Sequence, residues 1–182
     1  KFAAAYTLTD NVELYANWGL GFHSNDARGV VNDVTPVPGL VKGAGYEAGM
    51  RFEFGSFNIT ATQWWLDLAS ELIFVGDSNA VEPKTGAKRR GYELVAFWKP
   101  MPWLGLDLTY THSRARYKAI QDDPDYDAGD PLFDMLQGRF VEGGVESAGS
   151  FGAAAVKGRW EISTRLRYLG PYPLVPSGTK RA

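Results

Sequence analysis

The chain has 182 residues, a formal net charge of -2 and a mean hydropathy of -0.25. That is room for one domain, gives no reason to expect nucleic acid, and, with no cysteine, excludes disulfide frameworks and thiolate metal sites. No apolar run reaches transmembrane-helix length, which leaves a membrane β-barrel open, because alternating strands average to a polar hydropathy. The 6 Trp, 9 Tyr, 10 Phe and 21 Gly favour strands joined by many turns. The chain begins at Lys1 without an initiator Met or a signal-like segment, so it reads as a piece of a longer protein.

In chain order, Phe2, Ala4, Tyr6 and Leu8 alternate and stop at Thr9-Asp10-Asn11, a turn composition. Val12, Leu14, Ala16, Trp18, Leu20 and Phe22 form the next apolar face, opposite Glu13, Tyr15, Asn17, Gly19 and Gly21. Residues 23–42 have no period and read as a long loop. Gly43 to Asp67 is the clearest hairpin. Ala44, Tyr46, Ala48, Met50, Phe52 and Phe54 alternate with Gly45, Glu47, Gly49, Arg51 and Glu53, and Gly55-Ser56 links them to Phe57, Ile59 and Ala61. After Ala61 the apolar phase shifts to Trp64, Leu66 and Leu68. This predicts a one-residue slip, with Trp65 near an interface and Leu66 onward outside the bilayer.

Residues 76–87 read as a loop. Tyr92, Leu94, Ala96 and Trp98 then alternate against Arg89, Gly91, Glu93 and Lys99, up to a tight turn at Pro100-Met101-Pro102. Leu104, Leu106, Leu108 and Tyr110 alternate against Gly105, Asp107, Thr109 and Thr111, before the longest loop, residues 118–143. Val145, Gly149, Phe151, Ala153 and Ala155 form a weaker strand, with Glu146, Ser150 and Gly152 opposite. It turns at Lys157-Gly158 into Trp160, Ile162, Thr164, Leu166 and Tyr168, which face away from Glu161, Ser163, Arg165 and Arg167. The chain then trails off through its prolines to Ala182. The expectation is an all-β, antiparallel meander of eight strands forming one partial barrel domain over residues 1–182.

Two features favour a membrane barrel over a soluble sandwich. Short links of about two to four residues alternate with long ones of roughly 20, well beyond the usual hairpin length. Aromatics crowd strand ends: Phe54, Phe57, Trp98, Trp103 and Trp160 near the short turns, Trp18, Phe22, Trp65 and Tyr110 near the long loops. This is the arrangement of two interfacial girdles. The charges opposite the apolar faces, among them Glu13, Arg51, Asp107 and Arg165, must then face the lumen, paired across strands or wetted.

Glu13-Leu14-Tyr15-Ala16-Asn17-Trp18-Gly19-Leu20-Gly21-Phe22, running into His23-Ser24-Asn25-Asp26-Ala27-Arg28-Gly29, resembles a segment of the TonB-dependent outer-membrane receptors. Residues 66–77, Arg90-Gly91-Tyr92-Glu93 and residues 166–174 resemble further stretches of that family, in order along the chain. The resemblance implies eight strands from the later part of a 22-stranded barrel in a bacterial outer membrane. It also implies a plug domain and TonB contact supplied outside this chain, and energised uptake of a small-molecule ligand such as an iron chelate. An enzyme is not implied. Two alternatives remain on the pattern alone: an independent eight-stranded membrane barrel, structural or porin-like, and a soluble lipocalin-like barrel.

Among candidate sites, Lys84, Lys88, Arg89 and Arg90 cluster toward the outer rim, with Arg28 in the first long loop. They suit an anionic ligand or lipopolysaccharide phosphates. Asp123, Asp125, Asp127 and Asp134 fall at positions 1, 3, 5 and 12 of an EF-type calcium loop, although the glycine is one place late and position 12 lacks its Glu. Against calcium stands a plain solvated acidic loop. His23, Ser24 and Asp26, and likewise His112-Ser113, are sequence neighbours rather than a spatial triad. Gly19, Gly21, Gly45, Gly49 and Gly91 share the inner face, where they either leave room for a plug backbone or mark strand curvature, with curvature favoured.

Overall fold

The structure is a computed structural model and describes residues 1–24, 39–69, 71–75, 80–84, 86–118 and 139–182, with the backbone alone for residues 23, 71–75 and 80–84. Its strands are β1 (Phe2–Thr9), β2 (Val12–Ser24), β3 (Leu40–Phe54), β4 (Phe57–Leu68), β5 (Glu71–Val75), β6 (Ala80–Lys84), β7 (Ala87–Met101), β8 (Leu104–Tyr117), β9 (Ser147–Lys157) and β10 (Trp160–Leu169). Eight form one antiparallel sheet in the order β1-β2-β3-β4-β7-β8-β9-β10, and β5 and β6 form a separate two-stranded ribbon. The expected meander is present. The ribbon replaces part of what reads as loop, because the β-branched and aromatic run Leu72-Ile73-Phe74-Val75 pairs across a turn-type sequence with Ala80–Lys84. The short links are residue pairs: Asp10-Asn11, Gly55-Ser56, Pro102-Trp103 and Gly158-Arg159. Gly55 and Gly158 have φ of 56° and 65°, the left-handed conformation that tight hairpins require.

Register fixes which residues share a face, since directly opposed residues point the same way. The β2 and β3 faces fall as expected: Leu14 opposes Met50, Trp18 opposes Tyr46, and Glu13 opposes Arg51. β4 runs without a bulge from Phe57 to Leu68 against both β3 and β7, so the backbone does not slip after Ala61. What changes is the chemistry of the faces. Trp64 opposes Glu47 and Leu66 opposes Gly45, placing both on the inner face, while Trp65 opposes Tyr46 on the outer one. The second expected turn also shifts. β7 continues to Met101, Pro100 sits in a bulge between Trp98 and Met101 where its missing donor costs no ladder bond, and the turn is Pro102-Trp103. β9 starts at Ser147, so Val145 and Glu146 precede it.

Burial is inverted relative to a water-soluble sheet. Along β2 the polar residues Tyr15 and Asn17 are half-covered, while Leu14, Trp18, Leu20 and Phe22 are exposed, Phe22 by 73%. Among the described residues the buried hydrophobics are Val41, Ala87, Tyr117 and Val141. That handful at one rim leaves no place for the packed interior a lipocalin needs. On β3, Tyr46 and Phe54 lie eight residues apart, about 26 Å at a strand's rise, which at a barrel strand's usual tilt spans roughly 20 Å of the apolar band of an outer-membrane barrel. β1 and β10 each pair on one side only, so the sheet is open among the described residues and does not close as an eight-stranded barrel.

The last residues fold back instead of trailing off. Tyr172 and Ala182 exchange backbone hydrogen bonds, Leu174 N donates to Lys180 O at 2.9 Å, and Gly178 closes the turn at φ 71°. This flap rests on the segment before β9: Phe140 N donates to Pro176 O and Gly143 N to Pro173 O, both at 2.9 Å.

Candidate functional site

The inner face is a sheet of cross-strand polar pairs. Arg51 bridges Glu13 directly opposite and stacks 4.4 Å from the Tyr15 ring. Asn17 Nδ2 donates to Glu47 Oε1 at 2.5 Å, and Thr109 and Ser150 share a hydrogen bond of 2.9 Å. Two contacts reach over an intervening strand, and glycine makes each possible. Tyr15 Oη meets Thr62 Oγ1 at 2.5 Å across Gly49, and Arg165 bridges Asp107 at 2.7 Å across Gly152. A Cβ at Gly49 would sit 2.5 Å from the Tyr15 ring, and one at Gly152 would fall within the Asp107–Arg165 pair. Trp64 likewise covers Gly91, with ring carbons 2.6 Å from where its Cβ would be. Gly49 and Gly91 therefore carry neighbouring side chains laid flat on the lumen wall, a role beyond curvature or plug clearance. Gly21 has open space and Gly19 and Gly45 only ordinary contacts.

The outer face carries the second feature. Past the aromatic row Trp18–Tyr46–Trp65, the outward positions of β7 and β8 turn cationic: Arg90 directly opposes Arg114 and Lys88 directly opposes Arg116. These four are exposed, whereas Arg89, one residue out of phase, is half-buried on the inner face. They border a cavity of about 320 Å³ together with Tyr46, Trp65, Leu66, Asp67 and Arg89, and Lys118 Nζ holds Asp67 at 2.5 Å. The expected cluster is thus divided. Lys88, Arg89 and Arg90 all border that cavity, Arg89 from an inner-face register position, while Lys84 lies on the separate ribbon opposite Glu71 and Arg28 lies outside the described residues. Arg114 and Arg116 were missed. Their signal is the period continued past Leu108 and Tyr110, which puts residues 112, 114 and 116 on the outer face.

Asp123, Asp125, Asp127 and Asp134 lie outside the described residues. Elsewhere, among the described residues, no three His, Asp or Glu side chains are grouped to hold a metal ion. His112 Nδ1 lies 2.9 Å from Ser147 Oγ rather than against Ser113, whose hydroxyl donates to Val145 O, and the His112 ring packs beside Tyr92 on the outer face. Asp26 lies outside the described residues, as does the side chain of His23. At the loop-side rim, Arg116 and Arg181 both stack on Phe140, at 3.9 and 5.2 Å, and Arg181 bridges Glu146 at 2.5 Å. That hydrogen bond holds the Glu146 carboxyl below the usual carboxylate range, against the opposing effect of burial, and raises Arg181.

An open antiparallel meander with an apolar exposed face, a paired polar face and alternating short and long links is the wall of a transmembrane β-barrel. The family described as TonB dependent receptor-like, beta-barrel, matches residues 1–181, and the chain belongs to that family. It is a family of receptors and transporters of the Gram-negative outer membrane, not of enzymes. Solved structures similar in fold include the ferric yersiniabactin uptake receptor FyuA from Yersinia pestis, at 17% identity over 98% of this chain and 27% of that one, with a TM-score of 0.68. The siderophore receptor PiuA from Acinetobacter baumannii has 13% identity over 98% of this chain and 27% of its own, with a TM-score of 0.71. FpvA of P. aeruginosa, solved with a pyoverdine–iron complex, has 20% identity over 93% and 22%, with a TM-score of 0.65. The chain spans about a quarter of the length of these receptors. No curated protein matches it in sequence.

Proposed function

We propose that this chain forms part of the wall of a 22-stranded outer-membrane receptor that takes up a scarce nutrient, an iron chelate, by TonB-dependent transport. The plug and the TonB contact belong to parts of the protein outside this chain. The observation that carries the reading is the inverted sheet, apolar outside and hydrogen-bonded inside, in a chain of this family. Its supports are the ferric-siderophore receptors among structures of like fold. Within this reading the paired inner face acts as a rigid wetted wall past which ligand moves. Cross-strand pairs such as Arg51–Glu13 keep charge from being stranded in the lumen.

The test is uptake of radiolabelled ferric chelate by iron-starved cells carrying or lacking the full-length gene. The account expects gene-dependent uptake that stops when the inner-membrane TonB complex is deleted or the proton gradient is collapsed. Gene-dependent uptake that survives both treatments contradicts it.

A further inference from the structure

We propose that the flap of residues 171–182 is a clasp, pinned by Phe140 and Arg181, that ties the link between β8 and β9 to the link leaving β10, so that the two open and close as one unit. The inference concerns the loop-side rim of the wall and does not rest on what the receptor transports.

Three observations carry it. The first is order. Segment 139–146 has backbone donors that divide between the end of β8 and the flap. Val141 N reaches Ala115 O on β8 at 3.2 Å, while Phe140 N and Gly143 N reach Pro176 O and Pro173 O on the flap, both at 2.9 Å. Tyr117 N also donates to Arg139 O at 2.9 Å, which holds the start of the β8–β9 link against the same segment. The second is the pin. Arg116 of β8 lies 3.9 Å from the centre of the Phe140 ring and Arg181 of the flap lies 5.2 Å from it, and a guanidinium over an aromatic face is attracted by the ring's quadrupole. Gly178, in the flap's turn, packs so closely that a Cβ there would sit 2.7 Å from two carbons of that ring. Arg181 then continues to Glu146, with Nη1 2.5 Å from Oε2. Phe140 and Glu146 are six residues apart, so one guanidinium spans most of the segment. The third is mutual dependence. A two-stranded hairpin is marginal in water by itself. This one has the Tyr172–Ala182 exchange and the bond from Leu174 to Lys180, with Pro173 buried at the point where it accepts from Gly143. The flap is ordered by the segment, and two of the segment's amides are satisfied by the flap. Elements that satisfy one another in this way open together as one cooperative unit.

The experiment is native-state hydrogen exchange on the full-length protein in detergent, read at Val141, Gly143, Tyr172 and Leu174. Val141 is decisive, because its acceptor is on β8 and loosening the flap alone leaves its bond intact. In the unaltered protein the four amides are expected to show protection equal to within about threefold, the mark of one shared opening. Arg181→Gln is expected to quicken all four by a common factor of roughly three to thirty, the scale of a partly exposed ion pair and a stacked guanidinium lost together. Phe140→Leu should do the same from the other side of the pin. Lys180→Gln, which removes an adjacent charge outside the pin, should change none of them. The proposal is overturned if Tyr172 and Leu174 quicken while Val141 stays as it was, or if Lys180→Gln acts as strongly as Arg181→Gln. Should Arg181→Gln fail to assemble, the four protection factors of the unaltered protein decide, and unequal values overturn the clasp. Uptake that fails while the common exchange factor stands counts against the transport reading alone.

Discussion

Leu94 and Val95 are adjacent aliphatic residues on β7 that point to opposite faces, so they separate the wall reading from any argument based on composition. Leu94 opposes Ala61 and Tyr110 on the outer face; Val95 opposes Thr60 and Thr109 on the inner one. Leu94 is four residues from Trp98 and four from Arg90, about 13 Å along the strand from each, which puts it near the middle of the apolar band. Leu94→Arg therefore places a charge near the bilayer midplane, at roughly 2–4 kcal/mol, or about thirty- to several-hundred-fold in the folded-to-unfolded ratio. Val95 is 48% exposed on the wetted face, so Val95→Arg removes only part of a valine's burial, at most about 1 kcal/mol. Its guanidinium also lands on the face that holds Glu93 and Asp107. The assay is the fraction of full-length protein showing heat-modifiable gel mobility in outer membranes. Leu94→Arg should lose most of it and Val95→Arg little. Equal losses, or the reverse order, refute the face assignment.

Other expectations follow from contacts. Gly49→Ala and Gly91→Ala press a methyl against the backbone oxygens of Ala61 and His112 and should cost about 1–3 kcal/mol. Gly21→Ala meets nothing within 4 Å and should leave the unfolding temperature in detergent unchanged. Because the Glu146 carboxyl titrates below its unfolded value, its bond to Arg181 contributes stability that is complete above the usual carboxylate range and is lost as the pH falls through the lowered value. Hydrogen exchange at Tyr172 and Leu174 should accordingly quicken, relative to the strands, on acidification through that window, and Glu146→Gln should abolish the pH dependence. An epitope tag at Gly143, on the long-loop side, should bind antibody on intact cells. One at Gly158 should bind only after permeabilisation, and the opposite pattern reverses the topology.

Legibility followed the range of the interactions. In β10, in β2 as far as Phe22 and in β3 from Ala44 the outward residues were readable from period-2 alternation, because lipid on one side and water on the other impose opposite chemistry on neighbouring residues, whereas Ser24, Leu40 and Lys42 pair within what reads as a loop. The same rule misled at Trp64, Leu66 and Leu68. A wide barrel's inner face tolerates apolar side chains where neighbouring strands cover them, as Trp64 does by lying over Gly91, so a change of chemistry looked like a change of register. Val95 and Phe97 are also apolar and inward by register, but exposed rather than covered. The flap of residues 171–182 was not legible at all. It depends on Phe140, Arg116 and Arg181 meeting from three distant segments, and local sequence carries no trace of that. Arg114 and Arg116 were legible in phase but not in partnership, since only the β7–β8 register shows that they oppose Arg90 and Lys88.

The central claim is that one face of this sheet meets lipid and the other meets water. The chain contains no cysteine, so a single cysteine introduced on β3 is the one thiol within it. The direct measurement attaches a nitroxide in turn at positions 46, 47, 48, 50, 51, 52 and 53 of the full-length protein in outer membranes. It compares collision with oxygen, which concentrates in lipid, against collision with a water-soluble nickel chelate. The account predicts strict alternation: oxygen access at the even positions, greatest at Met50, and nickel access at Glu47, Arg51 and Glu53. Access without a period of two, or the chelate reaching the even positions, contradicts it.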